Sequence, residues 1–222
     1  MLGRPAWRVA AILDGVLEAL TGTGLAASAG LNAYVPLLTV GLLARYSDLV
    51  TLPSGWQWLS NGWVITILLV LLVIEVVADK VPMVDHVNDV VQTAVRPTAG
   101  GLVFGAGTGA QTVTVDDPGR FFGSQQWVPI VIGMVIALAV HAVKAAARPV
   151  INTTTAGFGA PLASAVEDAG SVLGSLVAIL LPALVLLFLL GFVFFVTWVV
   201  RRRRRRRRER QAVRDATSVG HA

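Results

Sequence analysis

Residues 171–200 read SVLGSLVAILLPALVLLFLLGFVFFVTWVV, and residues 201–208 follow as eight consecutive arginines. Thirty residues without a charge exceed the ~20 apolar residues that a helix needs to cross a hydrocarbon core of ~30 Å. The excess predicts a tilt or bend, for which Pro182 supplies a kink. An arginine block directly after a span resists translocation and holds that end of the chain in the cytoplasm. The expectation is a multi-pass protein of the inner (plasma) membrane with a cytoplasmic C-terminus.

Working outward, the composition agrees. The 222-residue chain is 55% hydrophobic and 14% charged, with a mean hydropathy of +0.72; a soluble domain carries about 25% charged residues. Residues 201–222 hold 10 of the 18 Lys and Arg, which leaves 8 basic and 11 acidic groups in residues 1–200. The high isoelectric point therefore belongs to the tail. That excludes a nucleic-acid binder argued from charge and predicts anionic lipid headgroups as the tail's partners, at ~1 kcal/mol per arginine near the surface. There is no cysteine, hence no disulfide framework, thiolate metal site or cysteine nucleophile. The expected division is a cytoplasmic segment 1–18, a membrane domain 19–200 and a disordered tail 201–222.

Six stretches of low charge alternate between two kinds. Trp63–Ala78, Trp127–Val143 and Ser171–Val200 are smooth and apolar, as ordinary spans are. Ala19–Ala44, Pro97–Val115 and Pro149–Val166 are rich in Gly, Ala, Ser and Thr. Pro97–Val115 alone holds Gly100, Gly101, Gly105, Gly107 and Gly109. Each glycine costs a helix roughly 1 kcal/mol, and broken backbone at membrane depth survives only inside protein or beside water. These two stretches are expected to be re-entrant or broken segments, with close helix packing through small residues as the alternative. Ala19–Ala44 is long enough to cross and is expected to be interrupted near Gly30-Leu31-Asn32 and Pro36. The fold class is thus all-α, with about four transmembrane helices plus two broken Gly-rich segments. Ala94-Val95-Arg96-Pro97-Thr98-Ala99-Gly100 echoes Ala146-Ala147-Arg148-Pro149 with Thr155-Ala156-Gly157. One span lies between the echoes, so they would form an inverted repeat, a recurring plan of secondary transporters.

Gly30-Leu31-Asn32-Ala33-Tyr34-Val35-Pro36-Leu37, Asp79-Lys80-Val81-Pro82 and Arg96-Pro97-Thr98-Ala99-Gly100-Gly101 together resemble the bacterial membrane family labelled domain of unknown function 4126. The resemblance covers roughly residues 15–190 and leaves out the arginine tail. It implies a membrane location and brings no activity with it.

Ionisable residues in an apolar body cost ~2.5–3.5 kcal/mol each at a helix centre on insertion scales, so each is a candidate site. Arg96 and Arg148 each precede a proline; guanidinium binds phosphate or carboxylate in a bidentate fork. They are the expected substrate-binding residues, one facing each side of the membrane, with Asn32, Asn152, Thr98 and Thr155 as neutral partners. Glu75 and Asp79, spaced i,i+4 on one helix face, and His141 are the expected proton-coupling groups. Pro82–Val95 reads as an amphipathic surface helix whose Asp85 and Asp89 offer an alternative site for a hard cation. No nucleotide, serine-hydrolase or zinc motif is present, and no cofactor is expected. The favoured expectation is a small transporter or flippase for an anionic, phosphate-bearing substrate, lipids included. The rivals are a Mg-dependent lipid or isoprenoid pyrophosphate phosphatase and a structural membrane protein without a small substrate.

Overall fold

The computed structural model describes residues 6–79, 82–108, 127–155 and 159–185, together with separate positions between 187 and 202. All its regular elements are helical. They are α1 (Ala6–Leu31), α2 (Tyr34–Tyr46), a 3₁₀ turn (Ser54–Ser60), α3 (Gly62–Ala78), α4 (Pro82–Gly107), α5 (Trp127–Thr154) and α6 (Gly159–Leu180). Ala10–Leu31, Trp127–Ile151 and Gly159–Leu180 are long and apolar enough to cross a membrane. The 3₁₀ turn and α3, bent by 59° at their junction, make a fourth candidate span.

Met1–Val185 forms one compact unit and Leu186–Ala222 another. In the second, Leu187, Leu190, Phe194 and Phe195 are exposed, as suits a segment solvated by lipid. The Arg202 guanidinium stacks 5.1 Å from the Trp198 ring centroid, a cation–π contact between residue types that mark a membrane interface.

The first unit is built on α4, which α1 and α5 both meet antiparallel. Gly22 of α1 faces Phe104 and Thr108, whereas the Gly30 carbonyl meets Arg96. On the other side Gly101 and Gly105 face Ile130, whereas Arg96 meets His141. Glycine is what lets these backbones approach. A Cβ on Gly100 would collide with Ala137 Cβ and Gly133 O, and one on Gly30 would lie 2.6 Å from Ala137 O. α6 closes the bundle antiparallel to α1, with Ala178 against Gly24 and Ser171 bonded to Ser28 O at 2.9 Å.

The chain does break where Gly30-Leu31-Asn32 predicts. Asn32 Oδ1 accepts from the backbone N–H of Tyr34 (3.1 Å) and Val35 (3.2 Å). It thereby satisfies donors that a new helix start leaves orphaned. α2 has 13 residues, ~20 Å of helix, too short for a ~30 Å core. It turns back on α1. Tyr34 hydrogen-bonds Gln92 of α4, whereas Gly41 abuts Leu59, in the same 3₁₀ turn as Trp56, which abuts Gly105. α1 and α2 together form a helical hairpin with its tip at Asn32–Ala33, and Pro36, the other expected interruption, sits inside α2.

Among the described residues neither Pro97 nor Pro149 itself opens the expected break; the interruption within Pro149–Val166 falls later, between Thr154 and Gly159. α4 runs unbroken from Pro82 to Gly107 with Pro97 inside it, and α5 carries Pro149 through to Thr154. The physical reason is packing: Gly100, Gly101 and Gly105 seat α4 against α5 and Trp56, which a helix does and an open loop does not. Pro149–Val166 is the end of one helix and the start of the next. The amphipathic stretch Pro82–Val95 is the first half of α4, and the span expected from Ser171 starts at Gly159. Helix α6 stops at Leu180, just before Pro182. The two Arg-Pro motifs lie on antiparallel helices, so their polarity is opposite, although neither opens a broken segment. Gly109, Thr112–Val115 and Asp116–Gly119 lie outside the described residues.

Candidate functional site: a buried network of charges

α3 brings Glu75 and Asp79 to the bundle one turn apart. Both are buried, at 1% and 4% exposure, in a helix whose Ile67, Val70, Val73, Ile74 and Val77 are exposed. α4 supplies Asn88, Gln92, Thr93 and Arg96. α5 contributes His141, Lys144 and Arg148, at i, i+3 and i+7, a helical stripe. α6 adds Ser164, Glu167 and Asp168. Arg96 is near the midpoint of α4 and His141 near that of α5, whereas Glu75 and Asp79 stand at the C-terminal end of α3 and Arg148 towards the end of α5.

The tightest pair is Arg96 Nη2 to Glu75 Oε1, 2.9 Å, with the side chains 0% and 1% exposed. Arg96 Nη1 also donates to the Gly30 carbonyl (3.3 Å) and faces His141 Nδ1 at 3.4 Å. Guanidinium has donors only, so Nδ1 must accept. That assigns the proton of a neutral imidazole to Nε2, which lies 3.2 Å from Thr93 Oγ1. Desolvating two ions costs several kcal/mol each and is offset only by good geometry and further hydrogen bonds. This pair has a close contact and two further partners on Arg96 Nη1, but leaves Glu75 Oε2 and Arg96 Nε unmatched among the described residues.

Asp79 is shared more widely. Its Oδ1 accepts from Asn88 Nδ2 at 2.7 Å, and its Oδ2 lies 3.7 Å from both Lys144 Nζ and Arg148 Nη2. Lys144 is held more closely by Glu167 Oε2, 2.7 Å, and donates to the Leu31 carbonyl at the hairpin tip, 3.4 Å. Arg148 Nη2 donates to Ser164 Oγ at 2.8 Å. Asn32, fully buried, donates to Asp168 Oδ1 at 2.9 Å while capping α2. The hairpin tip is thus fastened to α4, α5 and α6 at once.

Glu75, Asp79, Arg96, His141 and Arg148 all join one network, with Asn32 on its margin. The two arginines do not face opposite sides. Glu75 and Asp79, one turn apart on α3, draw both to the same place, because unbroken α4 and α5 keep Arg96 and Arg148 inside one bundle. Thr98 and Thr155 stay outside it. Thr98 is exposed and donates back to the Ala94 carbonyl at 2.8 Å. Thr155 donates to Ile151 O and accepts from Gly159 N at 2.9 Å, which links α5 to α6. Asn152 lies on α5 and Asp85 and Asp89 on α4; their side chains are outside the described residues. Among the described residues no three His, Asp or Glu converge as metal ligands.

Sequence reasoning missed Glu167 and Asp168, which fall just past the stretch drawn as Pro149–Val166. Two adjacent acids inside the apolar run 159–180 were the available signal. It also missed Gln92, Asn88 and Ser164, neutral partners whose importance appears only once the helices are placed.

These features define a helical, multi-span membrane protein with an ionisable network enclosed in its bundle. Residues 19–202 match the family model described as Domain of unknown function (DUF4126), and the chain belongs to that family. No curated protein and no solved structure matches the chain.

Proposed function

We propose that the protein is a small membrane carrier for an anionic, phosphate-bearing substrate, coupled to a proton at Glu75. The observation that carries this reading is the enclosed Glu75–Arg96 pair, 2.9 Å apart, which joins the end of α3 to the middle of α4. Intramembrane ionisable clusters are costly and mark ion and proton pathways. Glu75 Oε1 holds Arg96, while Oε2 has no hydrogen-bond partner among the described residues. A proton arriving at Oε2 neutralises the carboxylate and leaves a buried guanidinium without its counter-charge. An anion then replaces the carboxylate, because an uncompensated buried charge is worth 3–5 kcal/mol of instability. One proton and one negative charge enter together, so the network keeps its charge balance.

Arg148 and Lys144, whose shared Asp79 oxygen is 3.7 Å away, form the second station. His141, which contacts Arg96, precedes Lys144 by one turn on α5 and so stands next to both. Glu75 and Asp79 are already matched to cations of the chain, an arrangement suited to exchange of partners. Location in the plasma membrane, a cytoplasmic C-terminus and contact of Arg201–Arg208 with anionic headgroups complete the proposal, on the arginine-block argument.

Two probes test it in proteoliposomes loaded with a pH dye: inorganic phosphate, and fluorophore-tagged phosphatidylglycerol scored by its change of leaflet. The expected result is movement of one probe with proton uptake. Glu75→Gln should uncouple the proton, and Arg96→Ala should stop both. Movement of neither probe, or equal movement in wild type and Arg96→Ala, contradicts the proposal.

A further inference from the structure

A groove of about 280 Å³ runs between α2 and α4, lined by Tyr34, Leu37, Val95, Thr98, Ala99 and Leu102. It is at the small end of ligand sites, ~300–1,000 Å³: too small for a whole lipid, sufficient for a segment of one hydrocarbon chain. Its walls are apolar. The Thr98 hydroxyl is bonded to the Ala94 carbonyl, which leaves its methyl to the groove. Thr98 is exposed, so the open side faces whatever surrounds the bundle at mid-helix depth, and in a membrane that is acyl chain.

Tyr34 separates this groove from the charge network. It hydrogen-bonds Gln92 and lies within electrostatic reach of both Glu75 and Arg96. Behind it are three buried polar atoms without a hydrogen-bond partner among the described residues: Glu75 Oε2, Gln92 Oε1 and Arg96 Nε. Gln92 is 2% exposed and Arg96 0%. Buried polar atoms are nearly always paired, and leaving one unmade costs ~1–3 kcal/mol. Two of the three accept and one donates. With the Glu75 oxygen taken by the proton, a ligand that satisfies the other two offers an anionic acceptor to Arg96 and a hydroxyl donor to Gln92.

We infer that the groove between α2 and α4 seats one hydrocarbon chain of an anionic phospholipid whose hydroxylated phosphodiester head reaches Arg96 past Tyr34. This rests on the carrier reading above and names its cargo: a lipid arriving sideways from the bilayer, in place of a soluble anion. Tyr34 is the gate, and its position at the start of α2 puts it beside the tip of the α1–α2 hairpin.

Native mass spectrometry of the full chain tests this, after incubation in detergent with equal amounts of dioleoyl phosphatidylglycerol and dioleoyl phosphatidylcholine. Wild type should retain phosphatidylglycerol in preference. Thr98→Trp fills the groove from its exposed side and should lose bound lipid, whereas Thr98→Val, which keeps the shape, should retain it. Arg96→Ala should lose the preference for the anionic head. Elution volume and thermal midpoint, unchanged in both Thr98 variants, establish that they fold. Phosphatidylglycerol kept by Thr98→Trp as by wild type overturns the groove and leaves the anion site standing. Loss in Thr98→Trp with the preference intact in Arg96→Ala overturns the role of Arg96 and spares the groove. No lipid on wild type overturns the inference outright.

Discussion

The two arginines live in different surroundings, although their sequence contexts are nearly the same. Arg96 is wholly enclosed and has one carboxylate at 2.9 Å, a carbonyl and an imidazole about it. Arg148 has a hydroxyl at 2.8 Å, and its carboxylate, 3.7 Å away, is shared with Lys144 and Asn88. The neighbouring Glu167 is 18% exposed at its side chain. The difference comes from position along the helix. Arg96 is at the middle of α4, where α1, α3 and α5 all pack, and Arg148 is near the end of α5. Among the described residues an identical Arg-Pro dipeptide thus gives a close ion pair in one place and a carboxylate shared among several donors in the other.

The sharpest way to break the comparison is Arg96→Met. It strands Glu75 in the core, and the expected loss is ~3–5 kcal/mol, seen as a lowered thermal midpoint in detergent. The paired change Glu75→Leu/Arg96→Met should recover most of it, since apolar replacement of a complete buried pair is often neutral or stabilising. If the double variant is as unstable as the single one, the pair is not an isolated unit.

Arg148→Met should cost less, about 1–3 kcal/mol, because Lys144 remains beside Asp79. Equal losses at the two arginines would erase the distinction drawn here. Asn32→Ala removes a helix cap and leaves Asp168 without that donor. Its expected cost is about 1–2 kcal/mol, with faster amide exchange at the start of α2. Smallest of all, Thr155→Val breaks the exposed link between α5 and α6, for ~0.5–1 kcal/mol and no change in the network.

Much of this was legible from the chain. Membrane character followed from the apolar spans, and the interruption at Asn32 from a polar residue after glycine in a small-residue stretch. Ionisable groups in an apolar body pointed to Glu75, Asp79, Arg96, His141 and Arg148, five members of one network. What was illegible is long-range pairing. The glycines of Pro97–Val115 carry the same intrinsic cost whether they break a helix or seat it against a neighbour. Only the proximity of Gly133 and Ala137 to Gly100 decides between these. Likewise, local spacing places Arg96 and Arg148 after different spans and says nothing of Glu75 and Asp79 gathering them together. Thr98 and Thr155, chosen for standing near an Arg-Pro motif, turn out to satisfy their own helix backbones.

The account rests most heavily on exchange at one carboxylate: an anion takes Arg96 as a proton takes Glu75. Infrared difference spectroscopy of the reconstituted protein, with phosphatidylglycerol added to phosphatidylcholine membranes, reads that event directly. The predicted result is a new protonated-carboxyl C=O band on addition of the anionic lipid, absent in Glu75→Gln and in Arg96→Ala. A wild-type spectrum without the band, or the same band in Glu75→Gln, would contradict it.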